Sequence, residues 1–194
     1  MCFLAAWLVA GAACGGGGSD NGGSEKTIPG GKTFRGGGLS FTYPTEWRVR
    51  TAGPVDDNVA RYQVKVGPPG RANDAIAVTV GTVGVVIEGK DLAITEENID
   101  ENKELAVMGA QTMVAMGGGK LSEPTRVTFG GLPGFRAEAS NVKVQGGGRV
   151  ASHYTSLFKG PTTYTVSCVY TPDGAAEVTK ACDQVLGSFR LSRP

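Results

Sequence analysis

The chain has 194 residues, with 19 Lys+Arg against 18 Asp+Glu and a formal net charge of +1. So even a balance lacks the basic excess that nucleic-acid binders carry, and no nucleic-acid partner is expected. Apolar residues make up 40%, enough for one core, while 31 glycines far exceed the ordinary share of about 7%.

Met1 to Cys14 reads MCFLAAWLVAGAAC and carries no charged side chain. An apolar run of about a dozen residues is too short to span a bilayer as a helix and suits the h-region of an export signal. Gly11-Ala12-Ala13 stand directly before Cys14. This resembles the lipobox of bacterial lipoproteins, whose cysteine receives a diacylglycerol thioether and becomes the mature N-terminus. Gly11 replaces the usual Leu or Val, and no Lys or Arg precedes the apolar run, as expected if the start codon is set too far downstream. A buried N-terminal helix and a secretory signal cut near Ala13 are the alternative readings. On the lipobox reading, residues 1–14 are a signal segment ending at the lipidation site Cys14. The protein is then lipid-anchored on the extracytoplasmic face of the cell membrane.

Residues 15–38 hold eleven of the glycines, and Ser, Asp, Asn and Thr fill much of the remainder. Such a stretch buries too little apolar surface to repay its ordering entropy, so a flexible tether is expected here. Its root-mean-square reach is roughly 25–30 Å.

Residues 39–194 form the expected single globular domain, again neutral, with 16 basic and 16 acidic residues. Leu39-Ser40-Phe41-Thr42-Tyr43 alternates apolar and polar and stops at Pro44, a first strand and turn. Residues 47–50 and 62–66 read as the next strands. Residues 75–82 (AIAVTVGT) read as a central strand buried on both faces. From Thr95 to Met116 the period becomes helical. Thr95 is the expected cap, Glu96, Glu97, Asp100 and Glu101 occupy the first turns, and Ile99, Ala106, Ala110 and Met113 mark the apolar face. Those acids can serve as a docking face for a basic partner or as ordinary helix-terminus electrostatics. Four strands follow, at 126–129, 135–144, 149–158 and 162–170, with tight Gly-rich connections that make neighbours antiparallel. A last helix runs from about Asp173 to Gly187, with Val178, Cys182, Val185 and Phe189 on one stripe.

The cysteines fall into two pairs. Cys2 and Cys14 belong to the export segment. Cys168 shares a strand face with Tyr164, Val166 and Tyr170, and Cys182 sits on the apolar stripe of the next helix. These two faces must pack together, and an exported protein meets oxidising conditions, so Cys168 and Cys182 are expected to form a disulfide. Closing this loop is worth about 3 kcal/mol in the chain-entropy model. Two buried, inert thiols are the alternative.

Gly38-Leu39-Ser40-Phe41-Thr42-Tyr43-Pro44-Thr45-Glu46-Trp47 resembles the opening hairpin of PsbP-like (Mog/PsbP) domains. Gly131-Leu132-Pro133-Gly134-Phe135-Arg136 is similar to the family's strand after its first long helix, and Leu186-Gly187-Ser188-Phe189 fits its end. With the lipobox, tether and paired cysteines, the whole resembles small actinobacterial lipoproteins of the LpqN type. The resemblance implies an α+β fold, an antiparallel β-sheet with helices packed on it (an α/β sandwich). It also implies a binding or assembly module rather than an enzyme.

The residues themselves carry no catalytic constellation. His153 is the only histidine, mid-strand between Ser152 and Tyr154, whereas serine-nucleophile catalysis needs a His with an acid partner. One His and no clustered carboxylates leave no metal site expected. Gly117-Gly118-Gly119-Lys120 follows a helix, the wrong context for a phosphate loop, and no cofactor is expected. The first functional reading is a monomeric, membrane-tethered binding or adaptor module for an envelope protein, lipid or glycan. Such a module would use a sheet face or a groove beside a helix, and Tyr43, Trp47, Tyr62 and Tyr154 are available as an aromatic surface or as core. The second reading is an envelope hydrolase, which requires His153 to meet a serine and a carboxylate in a pocket.

Overall fold

A computed structural model describes residues 26–28, 30–55, 60–83 and 85–192. Three strands open it: β1 (Lys26–Ile28), β2 (Gly31–Gly36) and β3 (Leu39–Tyr43). A meander follows of β4 (Arg48–Pro54), β5 (Ala60–Gly67) and β6 (Ala75–Thr82), then a short pair, β7 (Val86–Ile87) and β8 (Lys90–Asp91). Helix α1 (Lys103–Gly117) leads into β9 (Lys120–Leu121), β10 (Thr125–Phe129), β11 (Leu132–Lys143), β12 (Arg149–Lys159) and β13 (Thr162–Tyr170). Helix α2 (Ala175–Ser188) and β14 (Arg190–Leu191) complete the chain.

The main sheet has the order β10-β11-β12-β13-β6-β5-β4, with β9 beside β11, and a smaller sheet runs β1-β2-β3-β14. Every described strand pairing is antiparallel. One face of the main sheet is closed by α2 and the smaller sheet. There Val64, Val66, Ile76, Val78, Leu157 and Val166 meet Phe34, Phe41, Tyr43 and the α2 stripe in one core. On the opposite face α1 lies over β11 and β12, with β9 beside it. The expected α+β architecture is therefore present, with two helices on a mostly antiparallel sheet.

The seam between β13 and α2 follows the sequence pattern closely. Tyr164, Val166, Cys168 and Tyr170 all point inward, and Val178, Cys182, Val185 and Phe189 are fully buried against them. Cys168 and Cys182 are joined by a disulfide with Cα atoms 6.0 Å apart. The turn between them, Thr171–Gly174, is tied to Asp74, which is fully buried at the start of β6. The Asp74 carboxylate accepts from Thr171 N at 2.7 Å, Thr171 Oγ1 at 2.9 Å and Arg71 Nη1 at 3.2 Å. Gly174 has to be glycine, because a Cβ there would lie 2.2 Å from Asp74 Oδ2.

Three expectations are corrected. The stretch expected as tether includes β1 and β2: Phe34 is 1% exposed and stacks on Phe41 at a centroid distance of 5.3 Å. A glycine-rich composition hid a strand whose few large side chains reach the core, so the folded domain starts well before residue 39. The first helix starts at Lys103 rather than Thr95. Asn98 takes over the preceding turn, its Oδ1 accepting from Thr95 N at 2.8 Å and its amide donating to Ala93 O at 3.0 Å. Such local side-chain bonds compete with helix formation. Glu96 and Asp100 stay solvent-exposed on the segment ahead of α1, and both pair with Arg126 on β10. Finally β6 is central but closed on one face only, since its Ala77, Thr79 and Gly81 side lines an open groove.

Two stability measurements test this architecture. Cys168→Ala/Cys182→Ala is expected to lower the free energy of urea unfolding by about 2–4 kcal/mol, and non-reducing peptide mapping of the exported protein should recover one peptide carrying both cysteines. Phe34→Ala is expected to cost about 3–5 kcal/mol, whereas a residue in a free tether would cost nothing measurable.

Candidate functional site

The uncovered face of β13, β6 and β5 is built mostly from small residues in cross-strand register, with Gln63 and Lys65 on the β5 side. Thr163, Gly81 and Ala60 form one row, Thr165, Thr79 and Gln63 the next, and Ser167, Ala77 and Lys65 a third. The short side chains of β13 and β6 cannot bury enough apolar area to hold a helix against them. The result is an open groove of about 410 Å³, walled by Leu105, Met108 and Gly109 of α1 and by Tyr154, Ser156 and Phe158 of β12.

The wall is held in place by specific contacts. Ser156 Oγ donates to Ala106 O at 2.7 Å, a buried bond that fastens α1 to β12. Arg126 clamps the segment ahead of α1 through Asp100, at 2.8 Å, and Glu96. Gly109 interrupts the helix with a residue that ordinarily costs about 1 kcal/mol there. The reason is Tyr154, whose Oη would lie 2.2 Å from any Cβ at that position. Inside the groove the Gln63 amide donates to Thr79 Oγ1 at 3.1 Å. The Thr163 hydroxyl, closed off from solvent, has no hydrogen-bond partner among the described residues. Met108 remains 48% exposed at the rim.

Of the aromatic residues singled out in the sequence, Tyr154 reaches this groove. Tyr43 and Trp47 are fully buried core, the Trp47 indole donating to Glu177 Oε1 of α2 at 2.8 Å, and Tyr62 packs against the same core. Cys14 lies outside the described residues. The groove's other walls were missed in sequence. The alternation Thr163, Thr165, Ser167 was visible there, but nothing local showed that the face it marks stays uncovered.

His153 lies on the opposite face of β12, away from the groove. Its Nε2 is 3.1 Å from Tyr170 Oη and 3.8 Å from Glu138 Oε2, and its Nδ1 is buried without a partner among the described residues. Burial raises the Tyr170 phenol above its usual value of 10.0, and the Glu138 carboxylate adds to the rise. Tyr62 and Tyr164 are raised by burial alone. No serine hydroxyl is hydrogen-bonded to His153 among the described residues; the neighbouring Ser152 Oγ is 3.3 Å from Ser167 Oγ instead.

No protein-family model matches the sequence, and no curated protein matches it. Solved structures share the fold. A crystal structure from Bacteroides thetaiotaomicron aligns with TM-score 0.53 and 13% identity over 84% of this chain. It is the longer protein, and this chain covers 49% of it. The crystal structure of LpqN, involved in cell envelope biogenesis of Mycobacterium tuberculosis, aligns with TM-score 0.53 and 11% identity over 80% of this chain and 83% of LpqN. The solution structure of cyanobacterial PsbP (CyanoP) from Synechocystis gives TM-score 0.49 and 14% identity over 93% and 98% of the two chains. The expected fold class, an antiparallel sheet carrying two helices, is the one found, and the LpqN structure shares it.

His153→Ala is expected to change the occupancy of the groove by no more than about twofold, because the imidazole sits on the other side of the sheet. Native mass spectrometry of both proteins measures it. A hydrolytic activity present in the wild type and lost with this one substitution would assign the His153–Tyr170–Glu138 cluster to catalysis.

Proposed function

We propose that the protein is an extracytoplasmic lipoprotein, anchored through Cys14, whose domain is a non-catalytic binding or adaptor module for a component of the cell envelope. The groove beside α1 is the binding site. The observation that carries this reading is the half-covered sheet. A row-by-row floor of Ser, Thr, Ala and Gly, bordered by a fixed helix and an exposed methionine, is a concave surface with polar groups among apolar walls, the character of a ligand site. The likeness to LpqN supports the envelope as the place of action. The apolar segment ahead of Cys14 and the small residues before it support the anchor. A diacylglycerol thioether adds two chains at about 0.8 kcal/mol per buried CH₂, enough for firm anchoring.

Expressed with a complete signal in a lipoprotein-processing host, the protein is expected to partition into detergent and label with a palmitate analogue. Cys14→Ser is expected to abolish the labelling, and unchanged labelling removes the anchor from the reading. Thr165→Trp, which fills the groove floor, is expected to displace whatever envelope component the exported wild type retains in native mass spectrometry. An exported wild type that carries nothing in the groove removes the binding half.

A further inference from the structure

We infer that the groove beside α1 and a basic hollow at the β4–β5 end of the sheet form one trough for a single-chain anionic lipid, its alkyl chain along the groove and its phosphate-bearing headgroup at Arg48 and Lys65. The inference rests on the groove being the binding site.

Shared residues connect the two ends. Ala77 and Ser167 line both the groove and a smaller hollow of about 140 Å³. Lys65 lines that hollow and also the next one, of about 580 Å³, which Arg48, Arg50 and Arg71 border. Ser167, Ala77 and Lys65 stand directly opposite one another on β13, β6 and β5, so the passage crosses a single row of the sheet. Only short side chains separate the apolar end from the cationic end.

The basic end carries uncompensated charge in a protein that is otherwise neutral. Arg50 is caged by backbone: its guanidinium donates to the carbonyl oxygens of Pro68, Arg71, Ala72 and Asp74 at 2.6–2.9 Å. Carbonyl dipoles fix the group without cancelling its charge. Gly67 makes room for it, since a Cβ there would meet Arg50 Cζ at 2.6 Å. Arg48 and Lys65 are exposed, and neither forms an ion pair with a carboxylate among the described residues. Arg71 is different, being held by Asp74 and Glu177. Among the described residues no acidic side chain lines this hollow. Three unneutralised cations at one mouth attract a phosphate, and charge-assisted bonds from Arg and Lys would hold it. At the other end Leu105, Met108, Val83 and Phe158 present apolar surface, and the thioether of Met108 adapts to an alkyl chain. A ligand that satisfies both ends has an apolar tail and an anionic head.

Isothermal titration of the exported chain with monomeric lysophosphatidylglycerol, lysophosphatidylcholine and inorganic phosphate tests this. The anionic lipid is expected to bind about tenfold more tightly than the zwitterionic one, a difference of about 1.4 kcal/mol. That preference should shrink as salt is raised, since exposed charges are screened. Arg48→Glu/Lys65→Glu is expected to abolish the preference and leave lysophosphatidylcholine binding intact, which also shows that the variant is folded. Thr165→Trp should weaken both lipids. Equal affinity for the two lipids, a preference that survives in the double variant, or inorganic phosphate binding as tightly as the anionic lipid would overturn the trough. Equal affinities that Thr165→Trp still abolishes leave the groove itself standing. If neither lipid binds the wild type, the trough is overturned, and the native-mass experiment above decides the groove on its own.

Discussion

The structure depends on how α2 is locked onto the strand before it. Three unlike fastenings meet at this corner: the Cys168–Cys182 disulfide, the buried Asp74 carboxylate and the Glu177 bridge. Asp74 receives the backbone and hydroxyl of Thr171, which sets the turn into α2, while Arg71 supplies the opposite charge. A buried carboxylate is costly unless such partners surround it, so the turn, the β5–β6 loop and the helix are specified together. Glu177 then carries the link onward, accepting from the Trp47 indole and pairing with Arg71. At the far end of α2, Ser188 Oγ accepts from Thr42 N at 2.8 Å and ties the helix to β3. The helix thereby ties the smaller sheet to the main one, beside the core the two sheets share.

Closing one face so completely leaves the other face to be shared. Helix α1 has an apolar side of small residues, with Ala106 and Ala110 buried, and it settles where Phe135 and Phe158 can fill the space beneath it. Over β13, β6 and β5 there is no comparable apolar surface. The hydroxyls and methyls of that floor give a second helix nothing to bury, and the face stays open. The groove is therefore a consequence of where large side chains run out, bounded by a helix that Ser156 and Arg126 hold in position. Loop residues Gly67–Asp74 extend the same surface towards charge by folding their carbonyl groups around Arg50.

Much of this architecture was written in local pattern. The alternation in residues 39–43 and 162–170, the Gly-rich turns and the helical stripe through Val178 and Cys182 each report a single periodicity, and such signals survive without tertiary information. The disulfide was legible for the same reason, because two adjacent elements each displayed a cysteine on the apolar side. β2 escaped because composition averages over a window, and Phe34 is one large residue among glycines. The start of α1 escaped because Asn98 substitutes side-chain bonds for helical ones, a competition settled only by the surrounding contacts.

The sequence by itself determined most of the longer strands, the last helix, the antiparallel order of the final strands, the cysteine pair and the near-neutral charge, because each of these depends on composition or on residues close together in the chain. Only the tertiary structure decided that Tyr43 and Trp47 are core, that Glu96 and Asp100 pair with Arg126, and that His153 and Tyr154 look to opposite sides of one sheet. It also decided which sheet face stays open. Those outcomes depend on what arrives from distant parts of the chain: α1 over β12, the smaller sheet over β5, and the β5–β6 loop around Arg50. A strand's pattern shows that it has two faces, but burial is a property of the partner, and no residue in the strand encodes whether that partner comes.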